Sequence, residues 1–337
     1  MTTIQPRSGL AVPRRSLLLG ALAAPVLARV SLAQTAPVWP TQPVRLVVPF
    51  AAGGPTDVPA RLFAEQLSNM LPQRVIVDNR TGAGVVVGTE AVAKSPKDGA
   101  TLLYTTVAHS VLPALFPRLT FDPMADFTPV ALCGVIPMLI TVNKDFPANT
   151  LQELVAEIRA NPGKYDYASS GNGGALHLAS ELFLSQAGGL RANHVPYRGS
   201  AAAMPDVLAG RVPILIDVAT SNLAFAQRGE LKPIAVMGTT RLPQLPNVPT
   251  TAEAGMPGLV ASTWHMVFAP AGTPAPVVAA INAAFNTVAA MPDVQRRLSD
   301  LAMELRSDTT PDTSAAWLRD EAAKWGSIVR EANITAN

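Results

Sequence analysis

The sequence predicts an α/β protein of two lobes, each a mostly parallel sheet flanked by helices. Three observations carry that expectation. Strand-like apolar runs alternate with helical periodicities along most of the chain. Two glycine-bearing turns, one near Gly53 and one near Gly171, each lie between a strand and a helix. Two extended apolar runs, near 130–142 and 262–270, read as strands that cross from one lobe to the other and form a hinge. At 337 residues the chain has room for two domains of ordinary size. Hydrophobic residues at 48% and charged ones at 15% place it among folded rather than disordered chains.

Residues 1–33 read as an export signal. Arg14-Arg15 precedes a short apolar stretch over 16–28, and Ser31-Leu32-Ala33 offers small residues for a signal peptidase. The apolar core is too short for a membrane anchor. The arginine pair resembles a twin-arginine signal, while Pro13 and a lysine-free flank also fit general secretion. Four of the 26 basic residues (Arg7, Arg14, Arg15, Arg29) lie in this stretch. Removing it leaves 22 basic against 24 acidic residues, a net of −2 rather than the whole chain's +2. Without a concentrated basic patch, nucleic acid is not an expected partner. Cys133 is the only cysteine, so no intramolecular disulfide can form. It lies in the apolar run Val130 to Ile136 and reads as a small buried hydrophobe.

The first lobe opens on Val44-Arg45-Leu46-Val47-Val48, a strand, followed by Phe50, Gly53-Gly54, Pro55, Thr56 and Asp57. A helix follows over 57–71, with Leu62, Phe63, Leu67, Met70 and Leu71 at helical spacing. Thr56 or Asp57 is the expected N-cap, and Pro59 is tolerated in the first turn. Free amides and the positive end of a helix dipole converge at such a point, which suits a carboxylate or phosphate. A second strand covers 75–80, a helix 85–94 and a third strand 101–106. Gly82-Ala83-Gly84 and Gly88 superficially match a dinucleotide fingerprint. They follow the second strand, and no strand ending in an acid stands about 20 residues on, so a helix-start turn is the better reading.

A turn-rich passage through Phe121-Asp122-Pro123 leads into the apolar run at 130–142. A helix over 150–161 carries Leu151, Leu154, Val155 and Ile158, with Thr150 and Glu153 spaced as a capping box. Ser169, Ser170, Gly171, Asn172 and Gly173 then repeat the strand–glycine–helix pattern ahead of Leu176, Ala179, Leu182 and Phe183. Ser200 reads as the cap of a helix that Gly210 ends. Strands follow at 212–217, 231–237 and 263–270, with a proline-punctuated loop before the last. Thr273-Pro274 opens a further helix, and another spans about 313–333. The expected division is 34–134 plus 266–337 for the first lobe and 135–265 for the second.

Several of these stretches together resemble the Bug-type receptors of tripartite tricarboxylate transporters, a family of periplasmic solute-binding proteins. They are the segment from Val48 through Asp57 with Ala60-Arg61, Asp78-Asn79-Arg80-Thr81-Gly82-Ala83-Gly84, and Val92 through Gly99. Val195-Pro196-Tyr197-Arg198-Gly199-Ser200, Pro246 through Thr250, Glu253-Ala254-Gly255 and Ala269 through Pro274 complete the set. The likeness covers essentially the whole mature chain. It implies a type II-like Venus flytrap that grips a carboxylate with main-chain amides, water and short hydroxyl side chains. Carried over, the ligand would meet Phe50 and the Gly53, Gly54, Pro55, Thr56, Asp57 loop from one lobe. From the other it would meet Ser169, Ser170, Gly171, Asn172 and Gly173, with Thr105, Thr106, Arg198, Gly199, Ser200 and Asp217 bordering the cleft. Arg198 could pair with the ligand or face solvent; Asp217 could accept from a ligand ammonium or hold loop amides. The resemblance further implies a monomer in the periplasm, without cofactor, that hands its ligand to membrane permease subunits. The chain departs from the family pattern at Ala51-Ala52, where proline is frequent, and at His265. Phe50, Trp264 and Met266 near the expected cleft lean toward a partly apolar carboxylate.

Three other readings compete with this one. A serine hydrolase would pair Ser169 or Ser170 with His177 or His109, but the motif is not the Gly-x-Ser-x-Gly elbow and no acid partner is apparent. A sensor subunit would use the same lobes to address a signalling partner. A metal receptor lacks clustered His, Cys and carboxylates.

Overall fold

Strand and helix alternate from Val44 to Glu331. The computed structural model describes residues 1–3, 5, 39–116 and 118–335, so the export-signal stretch lies almost wholly outside the described residues. The first run is β1 (Val44–Val48), α1 (Asp57–Met70), β2 (Val75–Asn79), α2 (Val86–Ala93), β3 (Thr101–Thr105) and α3 (Ala108–Leu115). A long strand, β4 (Phe127–Asn143), leads to α4 (Leu151–Ala160), β5 (Asp166–Ser169), α5 (Ala175–Gln186), β6 (Asn193–Pro196) and α6 (Ser200–Leu208). Then come β7 (Ile214–Val218), α7 (Ala219–Gln227), β8 (Leu231–Val236) and β9 (Ser262–Pro270). The chain closes with α8 (Ala275–Ala289), α9 (Pro292–Ser299), β10 (Glu304–Leu305) and α10 (Pro311–Glu331).

Two parallel triplets, β2-β1-β3 and β7-β5-β6, stand at the two ends of one curled sheet. Antiparallel β9 and β4 join them. β4 changes partners along its length. Phe127 to Pro137 pair with β9, with β10 alongside at Gly134 and Val135, and Met138 to Asn143 pair with β7 and β8. At the change, Pro137 has no amide hydrogen to give, and the Met138 amide donates to the Ala261 carbonyl at 2.9 Å. Gly134 is required where β10 comes close, since a Cβ there would lie 2.8 Å from the Glu304 carbonyl oxygen.

Burial explains why the strands read as continuous apolar runs. β7 and β9 are buried at every position, as strands covered on both faces must be. α1 places Leu62, Phe63 and Leu67 on its inner face, and Phe63 stacks on Phe285 of α8 at 5.5 Å between ring centres. Each such side chain contributes about 1.5–3 kcal/mol when fully buried. Glu321 of α10 is a buried acid held between two indoles. It accepts from the indoles of Trp264 and Trp325 at 3.1 and 2.7 Å and pairs with Lys324. Cys133 is fully buried, and burial pushes its thiol pKa well up, so it packs as the sequence suggests.

Local details differ from the sequence reading. Thr56 precedes α1 but makes no side-chain cap. Ser200 is the first residue of α6, with Gly199 at φ 98° in the cap position, a conformation favoured by glycine. Thr150 caps α4 as expected, but Glu153 reaches one residue further back, to the Asn149 amide at 2.7 Å.

Candidate functional site

The β1–α1 loop closes on its own acid. Asp57 is fully buried, and its Oδ2 accepts from the Gly53 amide and from Arg61 Nε, both at 2.7 Å. Its Oδ1 accepts from Asn79 Nδ2 at 2.8 Å, and Asn79 also donates to the Phe50 carbonyl at 3.0 Å. Burial works to raise the Asp57 carboxyl, but hydrogen bonds from Arg61, Gly53 and Asn79 and the Arg61 charge outweigh it, so its pKa lies below the usual value. The Gly54 amide bonds the Ala51 carbonyl at 3.3 Å, and the Asp57 and Val58 amides bond the Gly54 carbonyl. This corrects the reading of Gly53 and Gly54 as free donors: the carboxylate at the helix start, where the dipole favours negative charge, takes the Gly53 amide, and the Ala51 carbonyl takes that of Gly54. Phe50 is half-buried, Pro55 exposed and Thr56 buried beside this knot.

The β5–α5 loop is built without an acid. Ser169 is buried; its Oγ accepts from the Gly171 amide at 3.1 Å, lies 3.2 Å from the Gly171 carbonyl oxygen and is 2.5 Å from His194 Nε2. The Gly173 amide donates to His177 Nδ1 at 3.1 Å, which fixes the neutral His177 tautomer with its hydrogen on Nε2, toward Glu181 at 3.9 Å. His177 and His194 stack face to face at 3.8 Å, and His194 stacks in turn on Tyr167, whose hydroxyl donates to Glu181. Burial lowers the pKa of His177. His194 falls to about 4, through burial first and the neighbouring His177 second, with Glu181 opposing. Both rings are therefore neutral near pH 7. α5 begins at Ala175 behind Gly174, which supplies no side-chain cap, so its first-turn amides have no intrahelical acceptor. Ser170 and Gly171 are half-buried and Asn172 is exposed at this mouth.

The remaining predicted residues fall into two settings. Thr105 and Thr106 are buried at the end of β3; Thr105 Oγ1 has no partner among the described residues, and Thr106 Oγ1 accepts weakly from Ala108 at 3.4 Å. Tyr197, Gly199, Ser200 and Asp217 gather beside the second loop: the Tyr197 amide bonds the Ser169 carbonyl at 3.0 Å, and Gly171 faces the Tyr197 carbonyl. Asp217 is fully buried, with Oδ1 on the Val218 amide at 2.7 Å and Oδ2 unpartnered among the described residues. Burial pushes its pKa up to about 7, and the Val218 amide and the Ser200 hydroxyl oppose the rise, the latter without a hydrogen bond of normal geometry. Arg198 is exposed. His265, the departure noted above, is buried and bonds the Tyr104 hydroxyl through Nδ1 at 3.0 Å; burial lowers its pKa to about 3.

The end of α3 links the two halves. A Cβ on Gly173 would meet Leu115 at 2.8 Å, and one on Gly84 would meet Phe116 at 3.2 Å, so the second loop and the β2–α2 turn both rest on this short helix. Four contributors went unassigned in the sequence. Asn79 and Arg61 lie inside family motifs without an assigned role, and His194 and Leu115 carry no signal. The hydrolase geometry is corrected as well. His109 lies apart, with Nε2 2.7 Å from the Pro123 carbonyl, and His177 serves Gly173, so the histidine that touches Ser169 is His194.

These features sit on a fold with known relatives. Residues 59–334 match the family described as the tripartite tricarboxylate transporter family receptor, TctC. The chain belongs to the TctC family. It is 37% identical over 327 residues, 97% of this chain and 96% of the relative, to the "UPF0065 protein in tcbD-tcbE intergenic region" of Pseudomonas sp. strain P51. With BugT of Bordetella pertussis it shares 35% identity, over 88% of this chain and 91% of that protein. Among solved structures, this TctC-family chain superimposes on MatC from Rhodopseudomonas palustris with bound malate at TM-score 0.75 and 33% identity, covering 86% and 99% of the two chains. An R. palustris protein with adipate gives TM-score 0.77 and 34% identity, covering 88% and 99%. The chain thus has the two-domain periplasmic binding protein fold, and its TctC relatives are binding proteins rather than enzymes. Among the described residues no group of three or more His, Cys, Asp or Glu could hold a metal ion.

Proposed function

We propose that the chain is an extracytoplasmic receptor that captures a small organic carboxylate between two lobes, 34–134 with 266–337 and 135–265. It delivers the ligand to the permease of a tripartite tricarboxylate-type transporter after export by the 1–33 signal to the periplasm. The observation that carries this reading is the uncapped first turn of α5, behind a loop held in shape by neutral histidines, on a TctC-family fold. Amides at a helix start hold an anion without a fixed counter-charge, and bonds to an ionised acceptor are about twice as strong as neutral ones. Malate and adipate in two relatives support the ligand class.

In this reading Ser170, Gly171, Asn172 and Gly173 border the carboxylate, and Ser169 shapes their loop. Phe50, Pro55 and Thr56 line the opposite wall. The Asp57 knot, with Gly53 and Gly54, sets that wall's form. Thr105, Thr106, Gly199, Ser200 and Asp217 meet the rest of the ligand, and Arg198 draws anions in from solvent. The protein works as a monomer without a cofactor.

A thermal-shift series with malate, adipate and further organic acids tests it. A ligand at 100 times its Kd adds about 2.7 kcal/mol of stability. Should no carboxylate raise the melting temperature, the reading fails. The Ser169–His194 contact favours a hydrolase as the second reading. Against it, Ser169 is buried and engaged with Gly171, and Glu181 faces His177 and Tyr167 rather than bonding His194. Turnover of p-nitrophenyl acetate that Ser169→Ala abolishes would decide for the hydrolase.

A further inference from the structure

We propose that a cavity at the junction of the two halves of the sheet is a second ligand site, for a small neutral molecule with an apolar body and a carboxamide-like end. The cavity measures about 340 Å³, and no residue of the β1–α1 or β5–α5 loop lines it. Its walls come from both halves of the sheet: Val135 and Pro137 where β4 changes partners, Met237 and Gln244 beyond β8, and Arg306 and Trp317 from the segment around α10. A dry cavity of about 150 Å³ already accepts benzene, so this one has room for a ring with a polar substituent.

Three side chains on the wall carry polar atoms that no protein group satisfies among the described residues: Gln244 Oε1, Arg306 Nε and Trp317 Nε1. Unpaired buried polar atoms are costly, and three around one space call for a common partner. They comprise two donors and one acceptor, the complement of a carbonyl beside an N–H. Net charge also selects a neutral occupant. The Arg306 guanidinium pairs with Glu304 at 3.2 Å and Arg241 with Glu253 at 2.8 Å, so no wall cation lacks a counter-ion. The three atoms are shielded from water, so an occupant reaches them as flexible lining side chains yield, and Met237 and Met303 are the softest of these. Because Pro137 pairs with Ser262 at the partner change, and both line the cavity, an occupant touches the point through which either half would move against the other.

Benzamide is the probe, with benzene and benzoate as controls, on the purified full chain. Benzamide should saturate with a Kd of about 1 mM or tighter and shift the Trp317 indole N–H resonance, which Trp317→Phe assigns by its loss. Benzene and benzoate should bind at least about tenfold more weakly. Thr239→Trp, placed to fill the cavity, should abolish the benzamide shift at Trp317. Because that variant could fold poorly, Ser262→Leu serves as a second filling substitution with the same expected result. An unmoved Trp317 resonance overturns the proposal. So does benzoate binding as well as benzamide, or undiminished benzamide binding in a folded filled variant. None of these readouts uses the carboxylate loops, so a failure here and a failure in the organic-acid series are distinguishable.

Discussion

At the start of α1 the negative charge that a helix dipole favours comes from the chain itself, the Asp57 carboxylate. At the start of α5 no acid is present, and two stacked neutral imidazoles support the loop instead. Both loops follow a strand, turn through glycine and enter a helix, yet one is closed electrostatically and the other is open. A glycine-bearing helix start is therefore not an anion site by itself. An acid within reach of the same amides converts it into a structural knot.

Removing the knot is the largest expected effect. Asp57→Ala strips the acceptor from Gly53, Asn79 and Arg61 at once and should cost about 3 kcal/mol in urea unfolding, the lower end for a broken buried pair because Arg61 is half exposed. A loss under about 1 kcal/mol would show that the loop holds without its acid.

Glycine substitutions sharpen the contrast. Gly173 has φ 68° and Leu115 where a Cβ would go, so Gly173→Ala should cost about 2 kcal/mol through strain and collision together. Leu115→Ala in the same chain should recover the collision part. Equal costs with and without Leu115 would mean that α3 does not support the loop.

Acid should separate the two loops. A histidine whose pKa is depressed on folding contributes stability that is fully present above its unfolded value near 6.5. That contribution is lost as pH falls through the folded value, which for His194 is about 4. Asp57, with its lowered pKa, gives way only as pH falls below the ordinary carboxylate range. The protection of the Gly173 amide, measured relative to its intrinsic exchange rate at each pH, should therefore fall between pH 6.5 and 4 while that of Gly53 is retained. The change is worth about 1.5 kcal/mol after allowance for solvent screening. His194→Gln should flatten it, and parallel exchange at both glycines would remove the distinction.

Gly53→Ala should be the mildest change. At φ 77° it is strained, but nothing lies within 4 Å of the added carbon, so about 1 kcal/mol is expected. A cost matching that of Gly173→Ala would show that backbone strain alone governs both sites.

Most of the frame was readable from the chain, because β1, β3, β7 and β9 are continuous apolar runs and α1, α4, α8 and α10 keep helical spacing. α3, α7 and α9 were not. α3 is eight residues with Pro113 inside, α7 carries Thr, Ser and Asn, which compete for backbone bonds, and α9 has only Val294 and Leu298 buried. At the candidate site the glycines mark both loops, but their use was hidden. Asp57 turns back to Gly53 only because Asn79 and Arg61 hold it there, and His194 reaches Ser169 across a parallel strand pair. Such partners are set by register, which a local pattern does not contain.

Cys133 has one further consequence. Its sulfur is sealed inside β4 and resists ionisation, so oxidising surroundings offer it no route to cross-link one copy of the chain to another. Maleimides should therefore leave the native chain unlabelled. A thiol introduced at Leu115 would then be a reactive handle beside the Gly173 loop.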